Sequence, residues 1–182
     1  MTAVTIVKDP LLAAANVMLV FFIAVLSFAA AAFVVAAPAV TIFKRDVLSE
    51  FARNGTADAA RLYPELPWVI LGLAVLLALG VWFLVLLRRI VRSVGEGDPF
   101  VPVNAARLTR MGWLALAGQI ASLPIGAAVV HVARMVSDSG HGEVGNDFGF
   151  SGEGVLLVLT LFILARVFRQ GTAMREELEG TV

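Results

Sequence analysis

Few groups in this chain can do chemistry, and they are scattered. There are two histidines and no cysteine. His141 lies near Asp138, Glu143 and Asp147 in a stretch that holds six glycines from Gly140 to Gly154. Imidazole and carboxylate oxygens do ligate divalent ions, but no recognised ligand spacing occurs, and a glycine-rich acidic loop reads as a solvated turn. No metal site is expected. His131 falls at the end of an apolar stretch and reads as an interfacial residue. Gln119 and Glu153 are the other polar candidates within apolar surroundings, and a proton path needs a longer chain of such groups. There is no G-x-S-x-G elbow, no H-E-x-x-H helix, no Walker lysine after a glycine loop, and no thiolate nucleophile. The chain therefore reads as a non-enzyme with no catalytic residues and no cofactor.

Two polar stretches carry more organisation. From Arg88 to Gly112 the charges are Arg88, Arg89, Arg92, Arg107 and Arg110 against Glu96 and Asp98, a net of plus three. Within it, Gly97-Asp98-Pro99-Phe100 reads as a turn with a fixed φ at Pro99 and an aromatic anchor at Phe100, after which Asn104 is placed to cap a helix carrying Arg107 and Arg110. The second stretch runs from Arg166 to Val182 and reads as a helix, with Val167, Met174 and Leu178 near one face and Arg175, Glu176, Glu177 and Glu179 offered to water or a partner.

The elements that must position these stretches follow from composition. The 182 residues are 59% hydrophobic and 15% charged, with a mean hydropathy of +0.89. Soluble domains average roughly 45–50% apolar and about 25% charged, and a fold this small leaves much of its surface wet. Lipid must cover the excess. Fourteen basic and fourteen acidic residues cancel, which gives no basis for direct nucleic-acid binding through bulk charge.

Four spans are expected, at about 11–37, 67–88, 110–132 and 150–170, each near the roughly 20 residues that cross a bilayer. The first is apolar on all sides and Pro38 lies where it is expected to end; it is too long for a signal-peptide h-region. The second stops at Arg88-Arg89, with Trp68 at headgroup level at its other end. The third carries Pro124, where a kink is expected, and the small residues Gly118, Ser122 and Gly126 on one face. That spacing suits close helix packing within the chain, or a homodimer interface. The fourth is uncharged only from Gly154 to Ala165, so it must borrow length from Phe148 and Phe150 on one side and from snorkelling Arg166 and Arg169 on the other. The fold class is all-α, an integral membrane four-helix bundle forming one domain over 1–182.

Counting Lys and Arg on the two sides gives nine against five, which places both termini, the 88–110 loop and the 170–182 tail in the cytoplasm. In the first extracytoplasmic loop, Phe43, Val47, Leu48 and Phe51 recur at helical spacing and predict an amphipathic helix closed by Asn54-Gly55. Tyr63-Pro64-Glu65-Leu66-Pro67 then reads as an extended approach to the second span.

Gly97-Asp98-Pro99-Phe100 followed by Asn104, Arg107-Leu108 and Gly112, together with Phe168-Arg169-x-Gly171, Glu176-Glu177-Leu178 and Thr181-Val182, resembles the bacterial membrane family called domain of unknown function 2975, DUF2975. The long first loop is a departure from that pattern. The resemblance implies an inner-membrane protein, and many members are encoded beside a very small helix-turn-helix regulator of the Cro/Xre type. It favours a membrane-embedded partner that binds such a regulator on the cytoplasmic face through Gly97, Asp98, Pro99, Phe100, Asn104, Arg107, Phe168, Gly171, Glu176, Glu177 and Leu178. A small transport or permeation component, suggested by Gln119, Pro124 and Glu153, and a structural subunit of a membrane complex are the alternatives.

Overall fold

A computed structural model of the chain describes residues 10–53, 59–95, 97, 99–136 and 151–179. Among these the backbone is helical with no strand. The helices are α1 (Pro10–Ile42), α2 (Lys44–Arg53), the single turn α3 (Ala59–Leu62), α4 (Leu66–Gly95), α5 (Pro102–Val136) and α6 (Gly152–Glu179). Pro10–Ile42, Leu66–Gly95 and Pro102–Arg134 are long and apolar enough to cross a membrane.

α1 shows why lipid is needed. Of its 33 residues only Leu19 and Ala37 are buried, while Phe21, Phe28 and Val35 stand well exposed. A helix that is apolar on every side and so little covered by protein has a non-aqueous surrounding. The helix does not end at Pro38; it continues to Ile42. Proline is tolerated inside a membrane helix where other groups satisfy the backbone. The carbonyl left without its usual donor is that of Val34; at the helix end, Thr41 Oγ1 donates to Pro38 O at 2.7 Å, and Tyr63 Oη lies 3.0 Å from Val40 O and 3.3 Å from Thr41 O.

After α1 the chain turns at Phe43 into α2, where Val47, Leu48 and Phe51 are half-buried and Lys44, Arg45, Asp46, Glu50 and Arg53 are exposed. Asn54-Gly55 lies outside the described residues. The segment leading to α4 is not extended. Tyr63–Glu65 forms a turn, with Glu65 N donating to Leu62 O at 3.0 Å and Val69 N to Glu65 O at 3.0 Å. Pro67 sits in the first turn of α4, where no amide donor is needed, so the two prolines do not force the chain straight. The fully buried Leu62 and the tethered Tyr63 hold the turn against the rest of the protein.

The long helices pack in chain order, α1 on α4, α4 on α5 and α5 on α6. Each pair is antiparallel. Arg88 Nε donates to Asn16 Oδ1 at 3.0 Å near one end of α1–α4, and Leu26 faces Gly80 further along. Ser93 meets Asn104 across α4–α5, with Ile125 over Gly72 near the other end. Phe162 lies over Gly112 across α5–α6. The core is Leu86, Ile90, Leu108, Met111, Leu161 and Ala165, with Phe83, Leu87, Leu114, Ala115 and Phe168 against it. It therefore sits between α4, α5 and α6, toward the turn that joins α4 to α5.

Both α4 and α5 run beyond the uncharged stretches, α4 through Arg88-Arg89 to Gly95 and α5 from Pro102 rather than from residue 110. Charge ends a membrane crossing without ending a helix, because arginine is a good helix former. α5 is one helix through Pro124. α6 likewise continues past Arg169 to Glu179.

Candidate functional site

The α4–α5 turn is built by residues that each remove a specific obstacle. Ser93 Oγ donates to Ile90 O at 2.7 Å in the last turn of α4. Gly97 then takes φ +91°, a backbone conformation that costs a side-chain-bearing L-residue roughly 1–2 kcal/mol, and its amide closes the turn onto Val94 O at 3.1 Å. Pro102 opens α5, where a missing amide hydrogen loses nothing.

Asn104 is not the cap of α5; it lies within the first turn and is fully buried. Its Nδ2 donates to Ser93 Oγ at 2.7 Å and to Pro99 O at 3.0 Å. Its Oδ1 accepts from Arg107 Nη1 at 2.9 Å, and the same nitrogen reaches Arg89 O at 3.1 Å. The side chain thus ties the end of α4, the turn and the start of α5 into one network. Asn104 does not cap because α5 begins two residues earlier at Pro102, which puts Asn104 inside the first turn, its own amide donating to Val101 O at 2.9 Å.

The turn also meets α6. The Phe100 ring packs on Phe168 with centroids 5.3 Å apart and planes at 41°, and it covers Gly171 so closely that a Cβ there would come within 2.8 Å of Phe100 Cδ1. Thr172 Oγ1 lies 3.0 Å from Phe100 O and 2.9 Å from Phe168 O, so one hydroxyl proton is shared between two carbonyls. Gly97, Pro99, Phe100, Asn104, Arg107, Phe168 and Gly171 therefore assemble at one end of the molecule. Glu176 and Glu177 are exposed further along α6. Asp98 lies outside the described residues, as does the side chain of Leu178. Ser93 and Thr172 complete the assembly and carry no sequence signal of their own, since a serine in a last helical turn and a threonine after a glycine are commonplace.

The small-residue face of α5 divides. Gly126 is buried, whereas a Cβ at Gly118 would meet nothing within 4 Å. Gly118, Gln119 and Ser122 instead line a cavity of ≈ 410 Å³ with Leu79 and Phe83 of α4 and Leu157 of α6. Close helix approaches fall instead at Gly72, where a Cβ would be 2.9 Å from Ile125 Cγ1, at Gly112, where it would be 3.1 Å from the Phe162 ring, and at Gly154, where the Gln119 side chain fills the space.

Gln119 has a structural partner. Ser151 precedes α6 as its N-cap, with Gly154 N donating to Ser151 Oγ at 3.0 Å. Gln119 embraces that cap, accepting from Ser151 N at 3.3 Å and donating to Ser151 Oγ at 3.4 Å. Glu153 is exposed in the first turn of α6, a position the helix dipole favours for a carboxylate. At the other end of α5, His131 Nε2 lies 3.7 Å from Glu65 Oε2, an ion pair when the imidazole is protonated. His141 and its acidic neighbours, with Phe148 and Phe150, lie outside the described residues. Among the described residues no three His, Asp or Glu side chains gather to hold a metal.

No curated protein and no solved structure matches the chain. A family match does exist. It starts within α2 and takes in both halves of the Phe100–Gly171 assembly, leaving α1 outside it. Matched over residues 47–182 to the family described as "Protein of unknown function (DUF2975)", the chain belongs to that family.

Proposed function

We propose that the protein is a four-span bundle of the bacterial inner membrane, with both termini in the cytoplasm, and that its Phe100 end holds a small helix-turn-helix regulator of the Cro/Xre type. Support for α6 as the fourth crossing comes from its antiparallel run along α5, from Ser151 beside Gln119 to Thr172 beside Phe100. The excess of arginine near that end supports its cytoplasmic placement.

The observation that carries the docking reading is a set of apolar side chains beyond the arginines. Phe100 is 41% exposed, Val103 54% and Met174 60%. Past Arg89, Arg110 and Arg169 no lipid tail covers such groups, and apolar surface next to charged groups is the composition of a protein-binding patch. The buried network behind it gives the patch a fixed shape. Sequestration at the membrane would keep a bound regulator from DNA. The test is co-purification of the adjacently encoded regulator with the wild-type chain and with Val103→Glu plus Met174→Glu, which alters exposed positions only. Loss of the regulator from the variant is expected; equal recovery overturns the docking surface.

A permeation component is the second reading, favoured by the ≈ 410 Å³ cavity that Gln119, Ser122 and Ser151 line. Gln119 lies nine residues beyond Arg110, or about 14 Å into the apolar layer at about 1.5 Å per residue. Solute flux into liposomes that is lost in Gly118→Leu selects this reading over the first.

A further inference from the structure

A second cavity, of ≈ 490 Å³, opens between α5 and α6 at the level where apolar sequence gives way to charge. Thr109 lines it from α5, and Phe162, Arg166, Arg169 and Gln170 line it from α6. Arg166 and Arg169 are exposed, and among the described residues neither has an ion-pair partner. No acidic side chain lines the cavity. Three residues apart on a helix, the two guanidiniums share a face and converge on one space.

The floor of the cavity leads into the apolar layer. Phe162 meets Trp113 edge to face, with centroids 5.6 Å apart and planes at 80°. Trp113 is 61% exposed, as befits an indole at headgroup depth. Thr109 Oγ1 spends its proton on Ala105 O at 2.9 Å, which leaves the oxygen as an acceptor for a ligand hydroxyl.

We propose that this cavity binds one anionic phospholipid with a hydroxyl-bearing headgroup. Its phosphodiester sits between Arg166 and Arg169, a headgroup hydroxyl donates to Thr109, and the first methylenes lie on Phe162. A phosphate between two guanidiniums is the strong charge-assisted case, and a basic pocket between membrane helices is a setting in which it selects lipid. The apolar wall that adjoins the cationic rim suits a lipid and not a free anion. The site is separate from the apolar docking patch and stands without it.

The test uses the full-length chain purified in detergent, with phosphatidylglycerol, phosphatidylcholine and inorganic phosphate as probes and native mass spectrometry as the readout. One phosphatidylglycerol per chain is expected to survive dilution that strips phosphatidylcholine. Arg166→Gln with Arg169→Gln is expected to weaken retention about tenfold or more, whereas Arg110→Gln, an exposed arginine outside the cavity, changes it little. Ala173 of α6 also lines the cavity, so Ala173→Phe fills it with both charges kept and is expected to lose the lipid as well. Equal retention of the two lipids, an equal loss in Arg110→Gln, or full retention in either cavity variant overturns the proposal. Displacement of the lipid by excess inorganic phosphate overturns the choice of lipid over free anion.

Discussion

The ring of Phe100 lies over the bare Cα of Gly171, and a methyl group there would stand 2.8 Å from its Cδ1 and 3.0 Å from its Cε1. Phe168, on the preceding turn of α6, flanks the same ring. Gly171→Ala must therefore push Phe100 outward. Overpacking of this kind costs about 1–3 kcal/mol, and thermal unfolding in detergent should show the loss. Phe100→Leu in the Gly171→Ala background should recover part of it, since the smaller side chain makes room. A variant as stable as wild type would mean that the ring is free to move aside.

Asn104 makes a sharper demand, because its partners come from α4, the turn and α5 together. Asn104→Ala leaves Pro99 O and Ser93 Oγ without their donor and removes an acceptor from Arg107. Unsatisfied buried groups cost about 1–3 kcal/mol each, and a loss on the order of 2–3 kcal/mol is expected because water reaches part of the turn. Asn104→Asp should not rescue it, since a carboxylate cannot donate to Pro99 O. Hydrogen exchange at 93–104 should accelerate in both variants.

These two residues also mark how far the sequence could be read. That Phe100 and Gly171 matter was visible in their motifs, and the uncharged lengths of α1, α4 and α5 announced membrane helices. Helix ends were harder. Arg88-Arg89 marks where lipid stops, while α4 stops only at Gly95, where Gly97 supplies the turn. Asn104 read as a cap because an asparagine after a proline turn suits that role, and its real partner, Ser93, sits on another helix. The Gly118, Ser122 and Gly126 spacing defines a face but not the neighbour opposite it, and Gly118 proves to have none within contact distance.

Tyr63 offers a test at the opposite end. α1 breaks at Phe43, so the Val40 and Thr41 carbonyls lack donors one turn ahead, and Tyr63 Oη serves both. Tyr63→Phe keeps the ring beneath Lys44 Nζ, 5.0 Å from its centroid, and removes only the hydroxyl. A loss of about 1 kcal/mol is expected. Faster amide exchange confined to 39–47 is the accompanying signature, and exchange that is unchanged there would show that the hydroxyl does not hold the break.

Gln119 and Gly154 support the most discriminating experiment. The Gln119 amide occupies the space where a Cβ on Gly154 would stand, while its two polar atoms hold Ser151 at the start of α6. Gly154→Ala must therefore expel Gln119 and loosen the cap, whose loss costs about 0.5–2 kcal/mol. Gln119→Ala alone removes the same hydrogen bonds without any overlap. The two changes act on one contact, so their effects should not add. The double variant is expected to be no less stable than Gly154→Ala, because alanine at 119 relieves the clash. Additive losses, read from unfolding in detergent, would separate the two residues and leave Gln119 available for a polar role in the ≈ 410 Å³ cavity. Non-additivity would bind it to the fold, and the permeation reading would then rest on Ser122 and the cavity's shape alone.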